Sequence, residues 1–174
     1  NRAILETFYA TGVRRSELVG LDAGDVDLGR GVLAVRQGKG AKDRFVPLSE
    51  RAAAWLRRDV EDVRPHHLRR TTGDALFLSV RGGRLSRNHL GEVVRSAVEA
   101  SGVGKTGACH LFRHTMATLM LEGGADTRYI QQMLGHAKLE TTQVYTRVSV
   151  GKLRAVYEAT HPGARLGGRR NSDD

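Results

Sequence analysis

Apolar residues recur at helical spacing along most of the chain and gather into short unbroken runs in a few places. In NRAILETFYATG (1–12), Ile4, Leu5 and Phe8 fall on one helical face and no capping residue precedes them, so the chain is expected to open inside a domain. VLAVRQ (32–37) and RFVPL (44–48) read as two short strands flanking GKGAKD, whose glycines and lysines make a hairpin connection. Ser49 caps a helix through Trp55, Leu56, Val60 and Val63 that Pro65 ends, and ALFLS (75–79) reads as a third strand closed by RGGR. Ser86 opens a helix whose buried side carries Leu90, Val93, Val94, Ala97 and Val98, and Gly102 ends it. From His110 onward the pattern is helical in short pieces: 110–122, 127–134, roughly 139–146 and 150–159. The expected fold class is mainly α with a small antiparallel three-stranded sheet (α+β). GARLGGRRNSDD (163–174) is glycine-rich and charged, and is expected to be a disordered tail.

Composition narrows the partner. With 174 residues, 40% of them hydrophobic, the chain has material for one domain with a real core. Lys and Arg number 28 against 19 Asp and Glu, giving a formal charge of +9 and favouring a polyanion, nucleic acid ahead of an anionic membrane surface. No apolar run approaches the roughly 18 to 20 residues of a membrane span, and no signal-peptide pattern opens the chain, so a cytoplasmic protein is expected. The single Cys109 reads as a buried small hydrophobe.

The candidate chemistry begins on helix 110–122. Phe112, Met116, Leu119 and Met120 gather on one face, and His110, Arg113, His114 and Ala117 on the other. His110 and Arg113, at i and i+3, can contact one anion together, although a lone HxxR also fits a solvated charged face. In TGVRRSEL (11–18), Arg14 stands where a glycine turn enters a helix, with Glu17 one turn later. A guanidinium fork at a helix start suits phosphate, although taken alone it is more often a surface ion pair. Lys39 in GKGAKD is, by itself, a turn lysine. LGHAKLETTQVYTR (134–147) places His136 and Tyr145 in a polar stretch just after a glycine.

Taken together, ATGVRRSEL, GKGAKDRFVPL, HLFRHTMAT and LGHAKLETTQVYT occur in the order and at the intervals of a known family. From the first residue to about Pro162 the chain resembles the tyrosine recombinases, or phage-type integrases, and most of all their Xer-like members. The resemblance implies a catalytic domain over 1–162, with the family's N-terminal DNA-clamping domain absent from this chain. It implies that Arg14 and Arg113 clamp a DNA phosphate, that His110 and His136 are active-site histidines, that Lys39 is the hairpin lysine, that Glu17 supports Arg14, and that Tyr145 is the nucleophile. The implied reaction is site-specific strand cleavage and rejoining through a 3′-phosphotyrosine, without metal or cofactor. The implied partner is double-stranded DNA, bound by a homo- or hetero-tetramer assembled through the C-terminal helix 149–162, with docking of that helix in cis on its own domain the open alternative for a DNA-free chain. Phe112 and Val13 stand where the family usually has Leu, both apolar exchanges. Two other readings compete: a DNA-binding module without catalysis, and a metal hydrolase using His110 and His114 at i, i+4, in which Leu111 occupies the Glu position of HExxH.

Overall fold

A computed structural model describes residues 1–36, 43–70, 72–104, 109–135 and 150–167. Helix α1 (Arg2–Thr11) runs through the centre. It buries Ile4 and Phe8 as its apolar period requires, and its buried Thr7 and Thr11 hydroxyls donate to the carbonyls of Ala3 and Thr7. Glu6 is also buried on α1, held by Arg2 (2.9 Å) and by Arg51 (2.8 Å) of helix α3 (Glu50–Arg58). Ser49 caps α3 by accepting from the Ala52 amide. On the other side α1 packs on α6 (Cys109–Glu122), where Phe8 stacks on Phe112 and Met116 and Met120 are fully buried.

The antiparallel sheet has three strands in the order β1 (Val26–Asp27), β2 (Val32–Val35), β3 (Arg44–Pro47). Leu33 faces Val46, and Pro47 is accommodated because β3 lies at the edge. The third strand is therefore Val26–Asp27 and not 75–79. Asp27 Oδ1 accepts from the Arg30 amide at 2.8 Å and closes a tight turn back into β2. The apolar run at 75–79 instead makes isolated bridges, Asp22 to Ala75 and Leu78 to Arg84, and buries Leu76 and Phe77 in the core.

Pro65 does not end the helix that begins at Glu50. A π turn (Asp59–Val63) widens the helix ahead of the proline, and α4 (Arg64–His67) continues beyond it, carrying the exposed His66 and the half-buried His67. The wider turn relieves the clash of the pyrrolidine ring with the preceding turn. Helix α5 (Arg87–Ala100), capped by Ser86, covers α2 (Arg15–Gly20), and α7 (Thr127–Leu134), capped by Asp126, packs on α6 and β3.

Helix α8 (Val150–Thr160) lies on its own domain, against α6 and β3, with Leu153 and Tyr157 buried. A 3-10 turn (Pro162–Gly167) follows and packs on α3, so residues 163–167 of the expected disordered tail are ordered as a turn, while 168–174 lie outside the described residues. The physical anchor is His161. Its fully buried ring stacks on Tyr157, lies edge-on to Tyr9, bonds the Tyr9 carbonyl at 3.0 Å and accepts from the Gly163 amide at 3.0 Å. Among the described residues, no helix is long and apolar enough to cross a membrane.

Candidate active site

Helix α1 stops at Gly12, whose φ of 59° is left-handed. A Cβ there would come within 2.3 Å of Met116 Cε and 3.1 Å of Leu134 Cδ2, so glycine is what lets the end of α1 meet α6 and α7. The Gly12 carbonyl accepts from Arg113 Nη1 at 2.7 Å, and Arg113 Nη2 donates to the Leu134 carbonyl at 2.7 Å. Burial, then the charge of Arg14, lowers the Arg113 guanidinium to about 10 against the pull of Glu17.

Two residues beyond Gly12, Arg14 is extended and immediately precedes α2. Glu17 reaches back to it: Oε2 accepts from the Arg14 amide at 2.7 Å and Oε1 from Arg14 Nη1 at 2.9 Å. Arg44, the first residue of β3, approaches the same carboxylate from the other side, Nη1 to Oε1 at 3.0 Å and Nη2 to Oε2 at 2.8 Å. Burial pushes the Glu17 carboxyl up, but the hydrogen bonds from Arg44 and the Arg14 amide, with the Arg44 charge, outweigh it and bring the group down to about 2.

The end of α7 completes the arrangement. Gly135, at φ 64°, terminates the helix and leaves its last carbonyls without intrahelical partners. Three successive carbonyls each receive an arginine: Met133 from Arg44 Nε (2.8 Å), Leu134 from Arg113 Nη2 (2.7 Å) and Gly135 from Arg14 Nη2 (3.2 Å). The negative end of the helix dipole favours this arrangement. Arg14 and Arg44 thus share one carboxylate, that of Glu17, while Arg113 is held by backbone carbonyls, and a positive excess remains at the surface where Arg14 is exposed.

Sequence comparison decides the family. Residues 1–152 match the Phage integrase family. The chain belongs to that family. It is 50% identical over 166 residues to tyrosine recombinase XerC 2 of Ralstonia nicotianae, covering 95% of this chain and 47% of that protein. It is 47% identical over 167 residues to tyrosine recombinase XerD of Mycobacterium tuberculosis, covering 95% and 53%. The chain thus spans about half the length of these relatives. Among solved structures, XerA recombinase superposes with a TM-score of 0.73 at 37% identity, over 97% of this chain and 58% of that one. XerH site-specific recombinase, bound to a difH substrate in a pre-cleavage complex, superposes with a TM-score of 0.67 at 26% identity, over 90% of this chain and 41% of that one. The fold is that of tyrosine recombinase catalytic domains.

Of the integrase-type positions marked by the sequence, the structure brings Arg14, Glu17 and Arg113 together. His110 lies one turn before Arg113 on α6, at an exposed position. Lys39, His136 and Tyr145 lie outside the described residues. Lys39 falls in the connection between β2 and β3, and His136 directly follows Gly135. His114 is exposed, and no group of three His, Cys, Asp or Glu side chains capable of holding a metal ion occurs among the described residues. Cys109 is buried at the start of α6, where burial pushes its thiol up.

Arg44 lies within the matching stretch GKGAKDRFVPL but is the member of the cluster to which the resemblance assigns no role. Its signal is strand phase: Arg44 shares a face with the buried Val46, whereas Phe45 points outward and is 54% exposed. An arginine at an inward strand position demands a buried anion. Nothing local in the sequence identifies that anion as Glu17.

Proposed function

We propose that this chain is the catalytic domain, over residues 1–162, of a site-specific DNA recombinase that cuts and rejoins strands through a 3′-phosphotyrosyl intermediate. The observation that carries the reading is the convergence of Arg14 and Arg113 on the adjacent carbonyls of Leu134 and Gly135, immediately before His136. Two guanidinium groups held by backbone carbonyls are pre-oriented for the two non-bridging oxygens of a phosphodiester, where charge grows in the transition state.

In this reading Tyr145 Oη attacks the phosphorus, the bond from phosphorus to the 5′ oxygen breaks, and the tyrosine becomes esterified to the 3′ phosphate. His110 takes the phenolic proton, which a group with a pKa near 10 mostly retains at neutral pH. Lys39 gives a proton to the departing 5′ oxygen, and His136 donates a hydrogen bond to the phosphate. The phosphotyrosine keeps the ester energy, so a second 5′-hydroxyl reverses the step and joins a new strand. Glu17 holds Arg14 by its backbone and side chain together.

Double-stranded DNA is the partner this reading requires. A formal charge of +9 supports it, as does likeness to XerH site-specific recombinase, whose solved structure is bound to a difH substrate. Assembly on DNA would be a homo- or hetero-tetramer in which helix 149–162 leaves its own domain for a neighbour's, and the setting would be the cytoplasm. The test is incubation with a pool of nicked duplexes of randomised sequence, whose short cleaved fragment diffuses away and traps the intermediate. A protein–DNA adduct stable to denaturant is expected, and its absence across the pool, with DNA binding retained, would leave only a binding module.

A further inference from the structure

Arg44 is placed unlike the other two arginines of the cluster. Its side chain is only 9% exposed, against 43% for Arg14, so it has little surface to offer to a DNA phosphate. It is nevertheless charged and fully committed: Nη1 and Nη2 form a two-pronged pair with Glu17, while Nε donates to the Met133 carbonyl. One planar group therefore ties the carboxylate that holds Arg14 to the helix end that precedes His136. Resting on the recombinase reading above, we propose that Arg44 is a positioning residue for strand cleavage, fixing Glu17 and the C-terminal turn of α7 so that Arg14 and Arg113 address one phosphate.

The geometry gives three reasons. Glu17 is 9% exposed, and without Arg44 its carboxylate would keep only Arg14 as a cationic partner. It would then draw the Arg14 guanidinium inward, away from the surface where substrate arrives. Second, Met133, Leu134 and Gly135 are clamped from three separate elements, β3, α6 and the residue preceding α2, so removing one clamp frees the turn to tilt about the other two. Third, the task needs a planar fork with an additional N–H on a different edge. Arginine supplies this and lysine, a compact ammonium, does not. Sub-ångström displacements at such a site are read in the chemical step, because the charge stabilisation operates in the transition state.

The experiment compares the 174-residue chain with Arg44→Lys, Arg44→Gln, Glu17→Gln and the Arg44→Gln/Glu17→Gln double variant, on a nicked duplex recovered from the randomised pool. Three quantities are read: the rate of adduct formation at saturating duplex, the duplex affinity, and the melting temperature. A positioning role gives a rate at least about tenfold lower for both Arg44 variants, an affinity within about twofold of the parent, and a double variant no slower than the slower single, since both act through one carboxylate. A parental rate in Arg44→Lys, losses that multiply in the double variant, or rate and affinity falling together would each overturn it. If Arg44→Gln melts below the assay temperature, the double variant, which leaves no unpaired buried carboxylate, and Arg44→Lys decide the matter by the same criteria. Failure of the recombinase reading shows separately, in the parent, as no adduct with any duplex of the pool, and withdraws the role along with it.

Discussion

Arg113 and Leu134 are joined by a 2.7 Å hydrogen bond from guanidinium to backbone carbonyl, and the same guanidinium reaches the Gly12 carbonyl, 101 residues away in sequence. The side chain is thereby locked in place by the ends of α1 and α7 before any substrate arrives. Pre-orientation of this kind lowers the reorganisation needed in the transition state. Arg113→Lys keeps the charge and loses the fork. It is expected to slow adduct formation by about a hundredfold at saturating DNA, in the range for removing one charge-stabilising donor, with little change in affinity. Single-turnover rates measured beside binding isotherms check this, and an unchanged rate would take Arg113 out of the site.

The general acid is tested by substrate chemistry. A bridging 5′ sulfur leaves as a thiolate that needs no proton, so Lys39→Ala is expected to be slow on the ordinary duplex and to recover on the sulfur-substituted one. Lys42→Ala is expected to show no such selective recovery. The opposite pattern would move the role to Lys42.

The cis docking of α8 makes a stability prediction. Leu153 is 1% exposed, so Leu153→Ala is expected to destabilise the domain by about 2 to 5 kcal/mol, measured by denaturant unfolding. A change within about 0.5 kcal/mol, the size of an ordinary surface substitution, would mean that the helix is docked elsewhere in solution.

The pH dependence of stability follows from His161. Burial holds its imidazole down to about 4, against the raising effect of its bond to the Tyr9 carbonyl, whereas an unfolded histidine titrates near 6.5. On acidification the unfolded chain takes up the proton first. The contribution is therefore complete above about pH 6.5 and is lost as the pH falls toward 4, by about 2 kcal/mol between pH 7 and pH 5. His161→Gln is expected to flatten that slope. Asp59, whose carboxyl burial pushes up, titrates with the opposite sign but is common to both proteins, so the difference between their unfolding curves isolates His161.

Much of this was legible in the sequence where a local rule applied. The apolar period of α1, α5, α6 and α7, the Ser49 and Ser86 caps and the glycine stops at Gly102 and Gly135 all stand as the pattern predicts. Two elements did not follow. Residues 75–79 have strand composition but pair through single bridges, because buried Leu76 and Phe77 serve the core. Pro65 reads as a stop, yet the π turn before it absorbs the missing amide and ring. At the site, Arg14, Glu17 and Arg113 carry motif signals, but Arg44 depends on a partner 27 residues away and on a helix end 89 residues away. Neither contact leaves a mark within one sequence window.

The central claim is that Tyr145 attacks DNA, and peptide mapping of the trapped adduct tests it most directly. The account predicts DNA attached to the peptide containing Tyr145, a free 5′-hydroxyl on the released strand that polynucleotide kinase labels, and no adduct from Tyr145→Phe despite nearly unchanged DNA affinity. DNA found on any other residue, or an adduct surviving in Tyr145→Phe, would contradict it.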